Sequence, residues 1–141
     1  MKLRRYEQIV TTDGSGAASI PVGGLSDPES FTGRLYCIAY VKDSVNPYDA
    51  GVDFSIYDST GIFPFWVEPN VNATKAVYPR DNAHDQAGDD IIFTASDAIV
   101  KMIPLISEGI TIGITNGGAS KAGTFHIIIL DHFDFAGSSL L

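Results

Sequence analysis

Residues 51–69, GVDFSIYDSTGIFPFWVEP, decide the class of fold. Val52, Phe54 and Ile56 alternate with Asp53, Ser55 and Tyr57. A period of two puts the first set on one face of an extended strand and the second on the other, so the run reads as a half-buried strand. Ser59-Thr60-Gly61 then turns the chain into an aromatic run containing Phe63, Phe65 and Trp66 and interrupted by Pro64. Proline offers no N–H to a ladder, which confines this second run to an edge strand, a bulge or a rim loop. Phe63 and Phe65 fall on one face and Ile62, Pro64 and Trp66 on the other, so both faces are expected to be covered, by a second sheet or a second subunit.

The same period recurs on either side. FTGRLYCIAYVK, 31–42, sets Leu35, Cys37, Ala39 and Val41 against Tyr36, Ile38 and Tyr40. Both sets are mostly apolar, which predicts a central strand covered on both sides, with Cys37 a packed core thiol on the Leu35 face. KLRRYEQIVTT and AASIPVG, joined by DGSG, read as an opening hairpin, because Asp-Gly tolerates the positive φ of a tight turn. Residues 109–115 and 122–131, joined through NGGASKAG, read as a closing one. Between them lie NVNATKAVYPR, the stretch 79–90, IIFT at 91–94 and TASDAIVKMIPLIS. The last has a helical case with Ser96 as cap, but Pro104 and the β-branched Ile99, Val100, Ile103 and Ile106 favour a strand. About nine or ten strands with no βαβ rhythm predict a single all-β domain over 1–141: an antiparallel β-sandwich, jelly-roll-like. A short basic lead precedes it and AGSSLL trails it.

Composition agrees with a packed domain: 141 residues, 45% hydrophobic and 18% charged, enough to bury a core without disulfides or metals. The net charge of −8 is unevenly placed. Residues 1–42 carry five Lys/Arg against four acids, or +1, and the remainder four against thirteen, or −9. Such a body repels phosphate backbones, so no nucleic-acid partner is expected. Cys37 is the single cysteine, which excludes an intrachain disulfide. The longest apolar run, FHIIIL, is strand-sized, and no membrane partner is expected. MKLRRYEQIV lacks the apolar region of a signal peptide, so the N-glycosylation triplet at 72–74 carries little weight.

The most chemically suggestive stretch is PRDNAHDQAGDD, 79–90, with His84 and four aspartates. A calcium loop places oxygen ligands at alternate positions and ends on a glutamate, and this stretch does neither. Zinc needs three or four ligands, whereas His126 and His132 lie far along the chain. No serine sits in a G-x-S-x-G turn. Asp131 and Asp134 could pair as carboxylates, but proximity in sequence makes no cleft. No catalytic, cofactor-binding or metal site is therefore expected, and 79–90 reads as a loop connecting two strands. The aromatic run 63–66 is the better candidate for a binding surface, set against the favoured reading that Trp66 and its neighbours fill the sandwich core.

The order of segments R-x-Y-x-x-x-V-T-T-D-G-S-G-A-A, GRLYCIAYV, VDFSIYDSTG, NATKAVYPRDNAHDQAGD and EGITIGITNGGASKAGTFHIIIL resembles the capsid decoration (auxiliary or cement) proteins of tailed bacteriophages. The resemblance runs from about residue 6 to 130, and its motifs are structural rather than catalytic. It implies a non-enzymatic virion protein, made in the host cytoplasm, that sits on the outside of the capsid and clamps the major capsid protein. A homotrimer at three-fold positions is implied with it. Interface residues would come from the basic lead (Arg4, Arg5, Tyr6), the aromatic run (Phe63, Phe65, Trp66) and the 79–90 stretch (Arg80, His84). The competing expectation is a ligand-binding or host-attachment module, such as a sugar-binding head-fibre or tail domain built on Trp66 and nearby acids.

Overall fold

Alternation predicts strands, and nine form among the residues that the computed structural model describes, 2–23, 31–84, 86–90 and 100–131. They are β1 (Lys2–Thr11), β2 (Ala18–Gly23), β3 (Phe31–Lys42), β4 (Asp53–Asp58), β5 (Pro64–Glu68), β6 (Lys75–Val77), β7 (Arg80–Asn82), β8 (Val100–Thr115) and β9 (Ala122–Asp131). All pair antiparallel, in two facing sheets. One sheet runs β1-β9-β3, and the far edge of β3 is shared by β6 and the first half of β8. The other runs β2-β8-β4-β5 and uses the second half of β8. The 16-residue β8 thus leaves one sheet and enters the other, which ties the two layers covalently. Its strand character from Val100 agrees with the β-branched reading, but it also runs straight through 107–109, where Ser-Glu-Gly reads as a turn in the sequence. IIFT at 91–94, Ser96, Ile99, His132, Asp134 and the AGSSLL tail lie outside the described residues.

The inward set of each strand meets the inward set of the opposite sheet. Val10, Leu35, Ile38, Tyr40, Phe125, Ile127 and Ile129 come from one side, and Phe54, Ile56, Trp66, Ile110, Ile112 and Ile114 from the other. Each such side chain contributes about 1.5–3 kcal/mol by leaving water. Phe54 is the hub of the aromatic part, with Tyr40, Tyr48, Trp66 and Phe125 around it. Tyr48 reaches in from the loop after β3 and donates its hydroxyl to Val10 O. Burial, then the neighbouring Tyr40, pushes that hydroxyl well above its ordinary pKa, so it stays a donor.

Both expected hairpins at the ends of the chain form differently. β1 pairs with β9 and β2 with β8, so DGSG carries the chain from one sheet to the other. The β8–β9 connection does the same, because β9 pairs with β1 and β3 instead of β8. The turn residues were legible, but their partners were not: a tight local turn and a sheet-to-sheet arch use the same Gly, Asp and Asn chemistry. The two arches brace each other at one end of the sandwich, through Thr12 N–H to Lys121 O, Gly117 N–H to Gly16 O and Thr12 Oγ1 to Gly118 O. Gly16 has φ +84, and a Cβ there would stand 2.9 Å from Gly118 N, so the close approach requires glycine.

β3 departs from simple alternation as well. Its register with β9 shifts between Leu35 and Cys37. The extra residue, Tyr36, reverses the phase, so that Leu35, Ile38 and Tyr40 point inward. Cys37 is buried as expected, but on the face opposite Leu35, and Tyr36 and Val41 are exposed rather than covered. A bulge of this kind leaves no period for sequence reading to detect.

Candidate functional site

β4 and β5 pair as a hairpin, with β5 at the sheet edge, one of the places left open for the Pro64 run, and the register broken opposite Pro64. Its tip is organised by Asp58, which is buried. The carboxylate accepts from Thr60 Oγ1 at 2.7 Å, Phe63 N–H at 3.0 Å and Ile62 N–H at 3.1 Å. Burial would raise the Asp58 carboxyl, but these donors outweigh it and leave the group below its ordinary value. The turn so fixed holds Ile62 (69% exposed) and Phe63 (63% exposed) out in solvent. Of the two covers expected for this run, a second sheet and a second subunit, the first is therefore corrected for Ile62 and Phe63. No strand lies outside β5 among the described residues to cover them.

Beside the tip, Phe63, Pro64 and Phe65 of the hairpin, Arg80 and Asp81 of β7 and Ile103 of β8 line a cleft of about 350 Å³. Arg80 is held from several sides. Its Nη1 donates to Tyr36 O at 3.0 Å and Pro79 O at 2.7 Å. Its guanidinium stands 5.9 Å from the Tyr36 ring and 6.0 Å from the Tyr78 ring, and those two rings meet edge to face. An arginine anchored in this way loses little freedom when it meets a partner, which suits it to an interface. Burial pushes the nearby Cys37 thiol up, with the Arg80 charge opposing, so the thiol is a poor nucleophile.

Phe63, Phe65 and Arg80 thus come together, as three of the residues that the sequence nominates. Trp66 does not join them. It is 5% exposed, packs edge-on against Phe54 at 5.2 Å, and donates Nε1–H to Glu68 Oε2 at 2.8 Å. Lys75 and Trp66 together hold the Glu68 carboxyl below its ordinary value. The stretch 79–90 is more ordered than a loop, for it contains β7 and an isolated bridge between His84 and Asp90. His84 Nε2 lies 2.9 Å from Asp90 Oδ1, and Asn82 Nδ2 donates to Asp90 Oδ2. His84 therefore staples this stretch and does not line the cleft. Among the described residues, no group of three or more His, Cys, Asp or Glu is placed to hold a metal ion.

Arg4, Arg5 and Tyr6 lie at the opposite edge of the sandwich, on β1. Tyr6 packs on Phe31 with ring centroids 4.6 Å apart, and the Arg4 guanidinium sits 5.5 Å from the Tyr6 ring. Arg5, Tyr6, Glu7 and Gln8 border a shallow cleft shared with Pro21 and Val22 of β2. Sequence reasoning missed Asp81 and Ile103 in the cleft, and Tyr36 and Tyr78 as the rings beside Arg80. Tyr36 was hidden by the bulge, whereas Tyr78 stands two residues before Arg80 and shares its side of the chain.

Asp58 and Glu68 fix the pH response of this hairpin. Each carboxyl is depressed in the folded state, so its contribution is complete above the ordinary carboxylate range and is lost as pH falls through the folded value. The urea midpoint is expected to hold from pH 7 to about 5 and to fall steadily below about pH 4. Asp58→Ala should cost about 2 kcal/mol at pH 7 and flatten part of that acid limb. A midpoint as high at pH 3 as at pH 7 would contradict the assignment. Comparison of the chain with protein-family models, with curated proteins and with solved structures returns no match.

Proposed function

We propose that the chain is a non-enzymatic virion structural protein that binds the outer surface of a phage capsid and stabilises its lattice. The resemblance described above supplies the class, and one observation carries the docking role: the Ile62/Phe63 tip beside the restrained Arg80. Exposed aromatics next to a held arginine are the residue types that dominate protein interfaces. Leaving Phe63 in water forgoes stabilisation that docking would recover. Modest contacts of this size suffice where many copies bind one shell and adjacent copies reinforce each other. The alternative attachment module loses its platform, because Trp66 is enclosed in the core.

The test is co-sedimentation of purified protein with undecorated capsids. Binding is expected at micromolar concentration. Phe63→Ser combined with Arg80→Ala should weaken it at least about 30-fold, the effect of removing a hot spot worth about 2 kcal/mol. Failure of the parent to pellet, or undiminished binding by the folded double variant, would sink the reading.

A further inference from the structure

The ends of the two sheets are guarded unequally. β2 carries Pro21 in mid-strand. β5 begins with Pro64 and faces a break in register between Ile56 and Tyr57. β6 is only three residues long. Prolines, bulges and short strands are the usual means of preventing sheets from joining edge to edge. β1 has none of these. It is ten residues long, contains no proline, runs in unbroken register with β9 from Lys2↔Asp131 to Thr11↔Ala122, and among the described residues ends its sheet. Charge is the one guard left to it, and that charge is self-complementary.

We infer that β1 pairs antiparallel with β1 of a second copy of this chain, about a two-fold axis at Tyr6. A two-fold perpendicular to the sheet keeps both cores on one side of the joined sheet and pairs residues of like parity. The register then follows from the outward face, where Leu3, Arg5, Glu7 and Ile9 are all exposed. With the axis at Arg5, that arginine faces itself and Leu3 faces Glu7. With the axis at Glu7, the glutamate faces itself and Arg5 faces Ile9. With the axis at Tyr6, Leu3 meets Ile9 and Arg5 meets Glu7, and symmetry makes each pair twice. Opposite charges and apolar pairs directly across a strand pair are favourable and like charges are not, so one register is selected.

The neighbours on β9 extend this match. Leu3 lies opposite Leu130, so one apolar row runs from Leu130 through Leu3 to Ile9 of the other copy, and Arg5 lies opposite Ile128. Glu7 lies opposite His126, whose buried Nδ1 has no hydrogen-bond partner and stands 4.0 Å from the Glu7 carboxylate. In the pair, each Glu7 carboxylate sits between that imidazole and the other copy's Arg5. Leu3 and Ile9, 56% and 59% exposed in the single chain, cover one another. A sheet of β3-β9-β1 followed by its two-fold mate results. The inference is independent of the capsid reading and competes with the three-fold arrangement that the resemblance implies.

The experiment measures solution mass by sedimentation equilibrium, at concentrations up to about 1 mM. The parent is expected at twice the 15.1 kDa chain mass. Arg5→Glu alone and Glu7→Arg alone each place like charges opposite, and each should weaken self-association at least about tenfold. Mixed in equal amounts, the two variants carry opposite charges at every facing position, and they should form a heterodimer. Re-pairing on mixing shows that both variants are folded, so misfolding cannot imitate the result. A parent that stays monomeric, a parent that is trimeric, or single variants that fail to re-pair would each overturn the inference.

Discussion

Phe54→Ala is expected to destabilise the protein by about 4 kcal/mol and to lower its thermal midpoint by about 15 °C. Phe54 is 1% exposed and touches rings from both sheets. Trp66 stands 5.2 Å away in its own sheet, Tyr40 and Phe125 stand at 4.8 and 5.1 Å in the other, and Tyr48 caps the group from its loop at 6.1 Å. Truncation removes the transfer energy of a whole ring, opens a cavity between two sheets that cannot close over it, and breaks four aromatic contacts at once. Phe54→Leu keeps most of the volume and should cost less than half as much. Circular dichroism melts of the three proteins decide the matter. A midpoint for Phe54→Ala within about 5 °C of the parent would show that the cluster does not hold the layers together.

The second large effect is expected at Gly33, for a backbone reason rather than a packing one. Gly33 has φ +138, a region that side chains with a Cβ rarely enter, and it sits where the β3–β8 register shifts after Phe31. A Cβ at this position would stand 2.5 Å from Leu130 O and 3.0 Å from Ile129 Cγ2 on β9. The nearer atom is backbone in a paired strand and cannot move aside without breaking the ladder. Gly33→Ala should therefore cost about 3 kcal/mol or more, from dihedral strain and overlap together. Gly14→Ala is the matched control, since nothing lies within 4 Å of its Cβ position. It should change stability by less than about 1 kcal/mol. Equal urea midpoints for the two variants would contradict the assigned backbone conformation.

Much of the fold was readable wherever a run alternated without interruption. Val52, Phe54 and Ile56 face the core as their spacing requires, and Pro64 opens an edge strand at a break in register, where a missing N–H is tolerated. Reading failed where one residue was inserted or where pairing was distant. The bulge at Tyr36 moved Cys37 to the other face and exposed a tyrosine that supports the candidate cleft. The arches after β1 and β8 have the turn residues of hairpins, and only the facing sheets determine that their strands part. Trp66 shows the same limit for function. An aromatic run advertises burial or binding equally well, and the direction in which each ring points depends on the register of β5 against β4.

By itself the sequence determined the all-β class, the acidic body with its basic lead, the strand at 53–57 and the strand character on either side of 107–109, because each depends on local period, local turn chemistry or simple counting. Tertiary structure alone decided the passage of β8 between sheets, the separation of Trp66 from Phe63, the gathering of Phe63, Phe65 and Arg80 into one cleft, and the position of β1 at a sheet edge. These depend on contacts between segments tens of residues apart. Which strand becomes a neighbour is settled by the whole core closing at once, so no window of sequence contains it.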